Sequence, residues 1–132
     1  MKNARDDMKS FVQDVLGCQC SPGVFSRMEY SGPEDSSEQF LLAGKLNVGN
    51  TLLIYFTSIS DRGDLFKLLP TLGLRGKCER DDNGFNRFRL VLVSPECDTV
   101  REMADPIFSS LDFMDEKLHL HVVHPDAVPW KL

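Results

Sequence analysis

The stretch NVGNTLLIYFTS, residues 47–58, decides how the first half of this chain folds. Its apolar run from Leu52 to Phe56 is unbroken, which is typical of a strand that is covered on both faces of a sheet. The Gly-Asn dipeptide before the run is a hairpin signal, and it predicts that residues 39–47 and 51–58 pair as antiparallel strands. We therefore expect residues 51–58 to form a central strand.

The region before this hairpin predicts a helix and a further strand. Apolar residues from Met8 to Leu16 follow a helical period, and Gly17 comes directly after the last of them. This pattern predicts an N-terminal helix that ends at the glycine. Polar and apolar residues alternate over residues 26–30, which predicts a short strand.

The region after the hairpin predicts a short helix and then a second hairpin. A helix is expected to kink or end near Pro70, which lacks a backbone N–H, and to be terminated by Gly73 and Gly76. The dipeptide Asn83-Gly84 is a strong turn signal. Residues 75–93 are therefore predicted to form two further antiparallel strands.

A third helix and a last strand complete the pattern. The helix is expected to begin near Ser94, and Pro106 is expected either to kink it or to divide it into two short helices. Residues 117–123 are expected to form a strand before an extended tail at 124–132. The order of these predicted helices and strands along the chain indicates one α/β domain over residues 1–132, with α+β as the alternative. We expect a mixed sheet of about six strands, with the N-terminal helix and two further helices packed on both faces. The last crossover is expected to be parallel and right-handed.

Composition narrows the functional classes. The formal net charge of -5 at pH 7 disfavours binding to nucleic acid or to an anionic membrane surface. The longest apolar run, residues 52–56, is far shorter than the ~20 residues of a membrane-spanning helix. No apolar signal segment follows Met1, so the 4 cysteines are expected to be reduced thiols in the cytoplasm. The expected partner is a protein or a small molecule.

Two thiols in the segment LGCQCSPGVF, residues 16–25, are the main chemical lead. In an extended link, Cys18 and Cys20 point the same way with Cα atoms roughly 6.5 Å apart. They could hold zinc or another soft metal ion, or form a strained disulfide. A structural zinc site takes four ligands, and His119 and His121, which share one face of the last strand, would complete the set. The alternative interpretation is two small residues at a packed corner, and two histidines on the polar face of an edge strand.

The same segment carries a resemblance to other proteins. LGCQCSPGVF is similar to an LGC-x-CP motif of small uncharacterised prokaryotic proteins. The resemblance is confined to residues 16–25 and implies no activity. It implies only a bacterial or archaeal cytosolic protein.

Four cations on the predicted second hairpin form a candidate anion or partner patch. Strand parity places Arg75 beside Lys77, and Arg87 beside Arg89, so all four could share one face. Such a patch could bind a phosphate or an acidic partner. A solvated hairpin face is the alternative, because acidic residues are interleaved and stacking aromatics are few.

Analogy at the level of the fold offers one enzymatic interpretation. Three antiparallel strands followed by helix, strand, helix and strand is broadly the plan of ribonuclease H-like domains, whose metal-dependent nuclease chemistry needs converging acidic residues. Glu29, Asp64 and Asp98 are the nearest candidates, although the extra hairpin strand departs from that plan.

The sequence contains no complete catalytic motif. The leading prediction is therefore a non-catalytic cytosolic binding or accessory protein. A thiol-based metal or redox protein ranks second, and the nuclease ranks third because fold alone does not fix function.

Overall fold

The computed structural model describes residues 11–12, 28–31, 44–59, 63, 65–112 and 117–127. These ranges form a mixed α/β fold. Its elements are β1 (Met28–Ser31), β2 (Gly44–Val48), β3 (Leu52–Ser58), α1 (Leu65–Asn83), β4 (Arg87–Val93), α2 (Cys97–Ser109) and β5 (Leu118–Val123), followed by a short 3₁₀ turn at Pro125–Ala127.

The described strands form one mixed sheet in the order β1-β2-β3-β4-β5. The first three strands are antiparallel neighbours, whereas β4 is parallel to β3 and β5 is parallel to β4. The predicted β2–β3 hairpin is confirmed, and Gly49 and Asn50 in its loop have positive φ angles of 60° and 56°. Such angles match the twist of a tight hairpin. As expected, β3 is central, with Leu52 to Thr57 buried.

The two faces of the sheet carry different layers. Both α1 and α2 pack on one face, which we call the helix face, over side chains that include Tyr55 and Phe88. On the other face, which we call the N-terminal face, Phe11 and Val12 pack against a cluster that includes Phe56. α1 and α2 thus share one face, and the prediction that an N-terminal helix covers the other face stays a prediction, because only Phe11 and Val12 of that segment are described. The β3–α1–β4 and β4–α2–β5 crossovers move in the same direction across the sheet. Two such crossovers of the same handedness place both helices on the same face of the sheet.

The prediction of a second hairpin is wrong. Residues 65–83 form the single helix α1, so the structure describes five strands rather than about six. Gly73 and Gly76, which were expected to end the helix, lie on the buried side of α1. A Cβ atom on Gly76 would overlap the ring of Phe88 in β4. Gly76 therefore allows the helix to approach the sheet closely, and it does not end the helix.

The two prolines lie inside continuous helices. Pro70 is within α1, and Pro106 is within α2, which runs unbroken from Cys97 to Ser109. Each proline removes one backbone hydrogen bond. Apolar residues of both helices are buried in the core against the sheet, and this burial outweighs the loss of one bond.

Parts of three predictions fall outside the described residues. Only Phe11 and Val12 of the predicted N-terminal helix are described, and both are buried. The C-terminal tail is described as far as Ala127. The single-domain prediction for residues 1–132 stays a prediction. No helix in the described part of the chain has the length and apolar character needed to cross a membrane.

Candidate functional site

The predicted thiol site lies outside the described residues. Neither Cys18 nor Cys20 is described, so their meeting with His119 and His121 stays a prediction. Within the described ranges, no group of three or more His, Cys, Asp or Glu side chains is arranged to hold a metal ion.

The two strand histidines lie on β5, at the edge of the described sheet, and the structure shows what one of them does. Nη1 of Arg89 lies 2.8 Å from Nε2 of His121. An arginine only donates hydrogen bonds, so Nε2 of His121 accepts this bond and the ring is neutral. Burial, together with the nearby charges of Arg89 and His119, lowers the pKa of His121 to about 4. A metal ion at Nε2 would have to displace Arg89.

The predicted basic patch does not form. Arg75 and Lys77 lie on α1, where residues two positions apart point in directions about 200° apart. The Arg75 guanidinium carbon lies 5.8 Å from the centre of the Tyr55 ring, on the helix face. Arg87 and Arg89 lie on β4 and alternate with core residues of the helix face, so they point to the N-terminal face. The sheet therefore separates the two pairs.

The acidic residues of the nuclease analogy are also separated. Glu29 is on the edge strand β1, whereas Asp98 is in the first turn of α2, just after β4. With neighbouring strands about 4.8 Å apart, β1 and β4 are separated by about 14 Å. The two carboxylates line different cavities. Asp64 lies outside the described residues.

A polar cleft opens where the helix layer stops short of the sheet edge. α1 packs mainly on β4 and β3, and within the described residues no helix covers the helix face of β1 and β2 beyond the contact of Glu79 with Lys45. This polar cleft has a volume of about 290 Å³. It is lined by Glu29, Lys45, Asn47, Asn50, Leu53, Glu79, Asn83 and Phe85.

One wall of the polar cleft is a clamp between α1 and the sheet. Glu79 of α1 accepts a hydrogen bond from the Tyr55 hydroxyl at Oε1. Its Oε2 lies 2.9 Å from Nζ of Lys45, in a partly buried ion pair. Both carboxylate oxygens are therefore engaged, and they tie the C-terminal half of α1 to β2 and β3.

The opposite wall is the β2–β3 turn. The backbone N–H of Asn50 donates to Oδ1 of Asn47 at 2.8 Å, and Nδ2 of Asn47 donates to Oδ1 of Asn50 at 2.8 Å. This reciprocal pair fixes both side chains. It leaves Nδ2 of Asn50 with no hydrogen-bond partner among the described residues, so its two N–H groups are available to a ligand.

Two acceptors complete the polar cleft. Nδ2 of Asn83 donates to the backbone carbonyl of Glu79 at 2.9 Å, which leaves Oδ1 of Asn83 available. Glu29 is exposed on β1, and its carboxylate has no hydrogen-bond partner among the described residues. Donor and acceptor groups thus face one cavity, and its apolar surface comes mainly from the half-buried Phe85, since Leu53 is only 1% exposed.

No protein-family model, no curated protein and no solved structure matches this chain. The assignment of a site therefore depends on the geometry of the polar cleft and of the Arg89–His121 pair.

Sequence reasoning did not single out most of the polar cleft. Lys45 and Asn47 alternate with buried residues on β2, and this alternation was the one available signal. Glu79 and Asn83 were assigned to a hairpin, and only the helix α1 turns them toward β2.

Proposed function

We propose that this chain is a non-catalytic binding or accessory protein of the prokaryotic cytoplasm, and that the polar cleft binds a small polyhydroxylated ligand such as a monosaccharide. The observation that carries the proposal is the pairing of available donors on Asn50 with available acceptors on Glu29 and Asn83 around one cavity. Hydroxyl groups suit this arrangement because each one both donates and accepts. The proposed cellular location is supported by the sequence resemblance of residues 16–25.

The clamp at Glu79 favours binding over proton transfer. A general acid or base needs a carboxylate oxygen that can reach the substrate. Both oxygens of Glu79 are engaged by Tyr55 and Lys45, so this carboxylate fixes the wall of the polar cleft. The half-buried Phe85 offers an aromatic surface against which the carbon face of a sugar ring packs.

The test is direct binding of defined probes. We expect isothermal titration calorimetry with a panel of aldoses, ketoses, linear polyols and amino sugars to find at least one binder. Replacing Glu29 by Ala, or Asn50 by Gly, should then weaken binding by about tenfold or more, because each change removes a hydrogen bond to the ligand. Glycine tolerates the positive φ angle of position 50, so this change preserves the turn.

Glu102→Ala is the matched control, since Glu102 is exposed on α2 and lies outside the polar cleft. Its affinity should equal that of the unmodified protein. If no probe of the panel binds, or if all three variants bind equally well, the polar cleft is not a polyol site.

The thiol-based metal or redox protein is the second candidate. One observation favours it: at neutral pH His121 is uncharged, which is the form that binds metal, and it shares a face with His119. Titration with zinc should then give stoichiometric binding that is lost in Cys18→Ser and Cys20→Ser. Full retention of zinc in both variants would exclude the thiol pair. The ribonuclease H-like interpretation gains no support, since Glu29 and Asp98 line separate cavities.

A further inference from the structure

The floor of the polar cleft contains a row of side chains that crosses three strands. Glu29 of β1 lies opposite Asn47 of β2, and Asn47 lies opposite Leu53 of β3. Leu53 belongs to the core of the helix face, so all three side chains are on that face. Side chains directly opposite on neighbouring strands have Cβ atoms about 5 Å apart. The Glu29 carboxylate therefore stands beside the amide of Asn47, at the outer end of the row.

The next row holds the one cation among the described residues that line the polar cleft. Lys45 is two positions from Asn47 on β2, so it lies diagonal to Glu29, with Cβ atoms roughly 7 Å apart. Its Nζ is nevertheless directed to Oε2 of Glu79, at 2.9 Å. The charges of Lys45 and Glu79 therefore neutralise each other. Within the described lining, an anionic ligand meets no cation other than this engaged one.

Glu29 supplies the uncompensated charge of the polar cleft. Its side chain is exposed, and it has no ion-pair partner among the described residues. Because Lys45 and Glu79 cancel, the described lining keeps one negative charge. The chain as a whole has a formal net charge of -5 at pH 7, which adds to this negative field. The polar cleft therefore favours a cationic ligand over a neutral or anionic ligand of the same shape.

An ammonium group fits these surroundings better than a metal ion. Calcium takes about six to eight oxygen ligands, whereas both oxygens of Glu79 are already engaged, which leaves one carboxylate in the described lining. An ammonium group has only three N–H donors to satisfy. The Glu29 carboxylate and Oδ1 of Asn83 are acceptors in the same cavity. The half-buried ring of Phe85 also lines it, and the face of an aromatic ring attracts a cation.

We propose that the ligand of the polar cleft is a hydroxylated primary amine, such as a 2-amino sugar, and that Glu29 selects it over the neutral sugar. This inference rests on the proposed function, because it takes the polar cleft as the site of a polyhydroxylated ligand. The ammonium group of the ligand donates a charge-assisted hydrogen bond to the Glu29 carboxylate. The N–H groups of the Asn50 side chain donate to its hydroxyl groups, as they do to those of a neutral sugar.

The test compares matched sugars by isothermal titration calorimetry at about pH 6, where an amino group is protonated. The pairs are glucosamine with glucose, galactosamine with galactose, and mannosamine with mannose. In at least one pair we expect the amino sugar to bind about tenfold more tightly than its parent sugar. This preference should shrink at high ionic strength, because salt screens an exposed carboxylate.

Two substitutions assign the preference to the charge of Glu29. Glu29→Gln keeps the size of the side chain and an acceptor oxygen. The parent sugar should therefore bind nearly as before, whereas the amino sugar should lose its advantage of about tenfold. Glu29→Lys reverses the charge and should favour glucuronate over glucosamine. Glu102→Gln, at an exposed position on α2, is the control and should leave the preference unchanged.

The results distinguish the amine preference from the polyol site itself. If parent and amino sugars bind equally well, and Glu29→Ala weakens both, the amine preference is wrong and the polyol site remains. Tighter binding of glucuronate than of glucosamine by the unmodified protein would also overturn the preference, and it would indicate Lys45 as the charge that the ligand meets. A preference that persists in Glu29→Gln would exclude Glu29 as its source. If no sugar binds, both proposals fail.

Discussion

At the scale of single residues, the contact between Arg89 and His121 couples the fold to pH. The arginine is 7% exposed, and the neutral imidazole accepts its hydrogen bond on the N-terminal face. Protonation of His121 would remove this acceptor and place two positive charges within hydrogen-bond distance. Burial of the ring, together with the nearby charges of Arg89 and His119, holds the imidazole in its neutral form and lowers its pKa from 6.5 to about 4.

This shift predicts acid sensitivity from one identifiable group. The unfolded chain binds a proton at His121 below pH 6.5, whereas the folded chain binds it only below about pH 4. The stabilisation is thus fully present above pH 6.5 and is lost as the pH falls to about 4, by at most about 3 kcal/mol. Urea unfolding at pH 7.5, 5.0 and 4.0 should show this loss of stability, in addition to the loss caused by protonation of the carboxylates.

The variant His121→Gln isolates the contribution of the histidine. Glutamine keeps an oxygen that accepts from Arg89 but does not titrate. The free energy of unfolding should therefore fall less steeply with acid in this variant than in the unmodified protein. Parallel pH profiles for the two proteins would show that His121 does not carry the effect.

At the scale of elements, helix α1 shows why a glycine can be essential inside a helix. In an exposed helix, replacing Gly by Ala stabilises by up to about 1 kcal/mol, because alanine restricts the unfolded chain more. At position 76 the added methyl group would overlap the Phe88 ring. Displacing a buried ring and its strand costs more free energy than the higher helix propensity of alanine provides.

We therefore predict that Gly76→Ala destabilises the protein by about 1–3 kcal/mol. Lys77→Ala, one position along α1, is the control, and it should change stability by less than about 1 kcal/mol because its contact with Asp81 is an exposed ion pair. Chemical denaturation measures both variants. In a double-mutant cycle, Phe88→Leu should reduce the cost of Gly76→Ala; strictly additive effects would mean that the ring is not the obstacle.

Helix α1 also marks the limit of what the sequence could predict. Alternating or continuous apolar patterns identified β2, β3, β4 and β5, because the burial of a strand determines the local pattern of apolar residues in its sequence. The same reasoning failed over residues 70–84, where proline and glycine indicate a helix end locally but are overruled by packing against β4. Without the helix the polar cleft could not be predicted either, because Glu79 faces Lys45 only when residue 79 is helical. The partners of His121 depend on strand order, which no local pattern contains.

At the scale of the whole molecule, protection from solvent should fall from the centre of the sheet to its edges. β3 has neighbours on both sides and buried side chains on both faces, whereas β1 has one described neighbour and an exposed Glu29. Native-state hydrogen exchange should therefore show the slowest amides in β3 and much faster exchange in β1. Faster exchange in β3 than in β1 would contradict the central position of β3.

The spatial order of the described strands is the same as their order along the chain. Each strand from β2 onward therefore docks beside the one made just before it, and no strand has to wait for a distant segment to fill a gap. The contacts of the β2–β3 hairpin are local and form early, whereas the parallel β3–β4 and β4–β5 pairs join residues 35 and 30 positions apart. The sheet can grow from one side during synthesis at the ribosome, in the direction of translation, and β5 is the last described strand to join it.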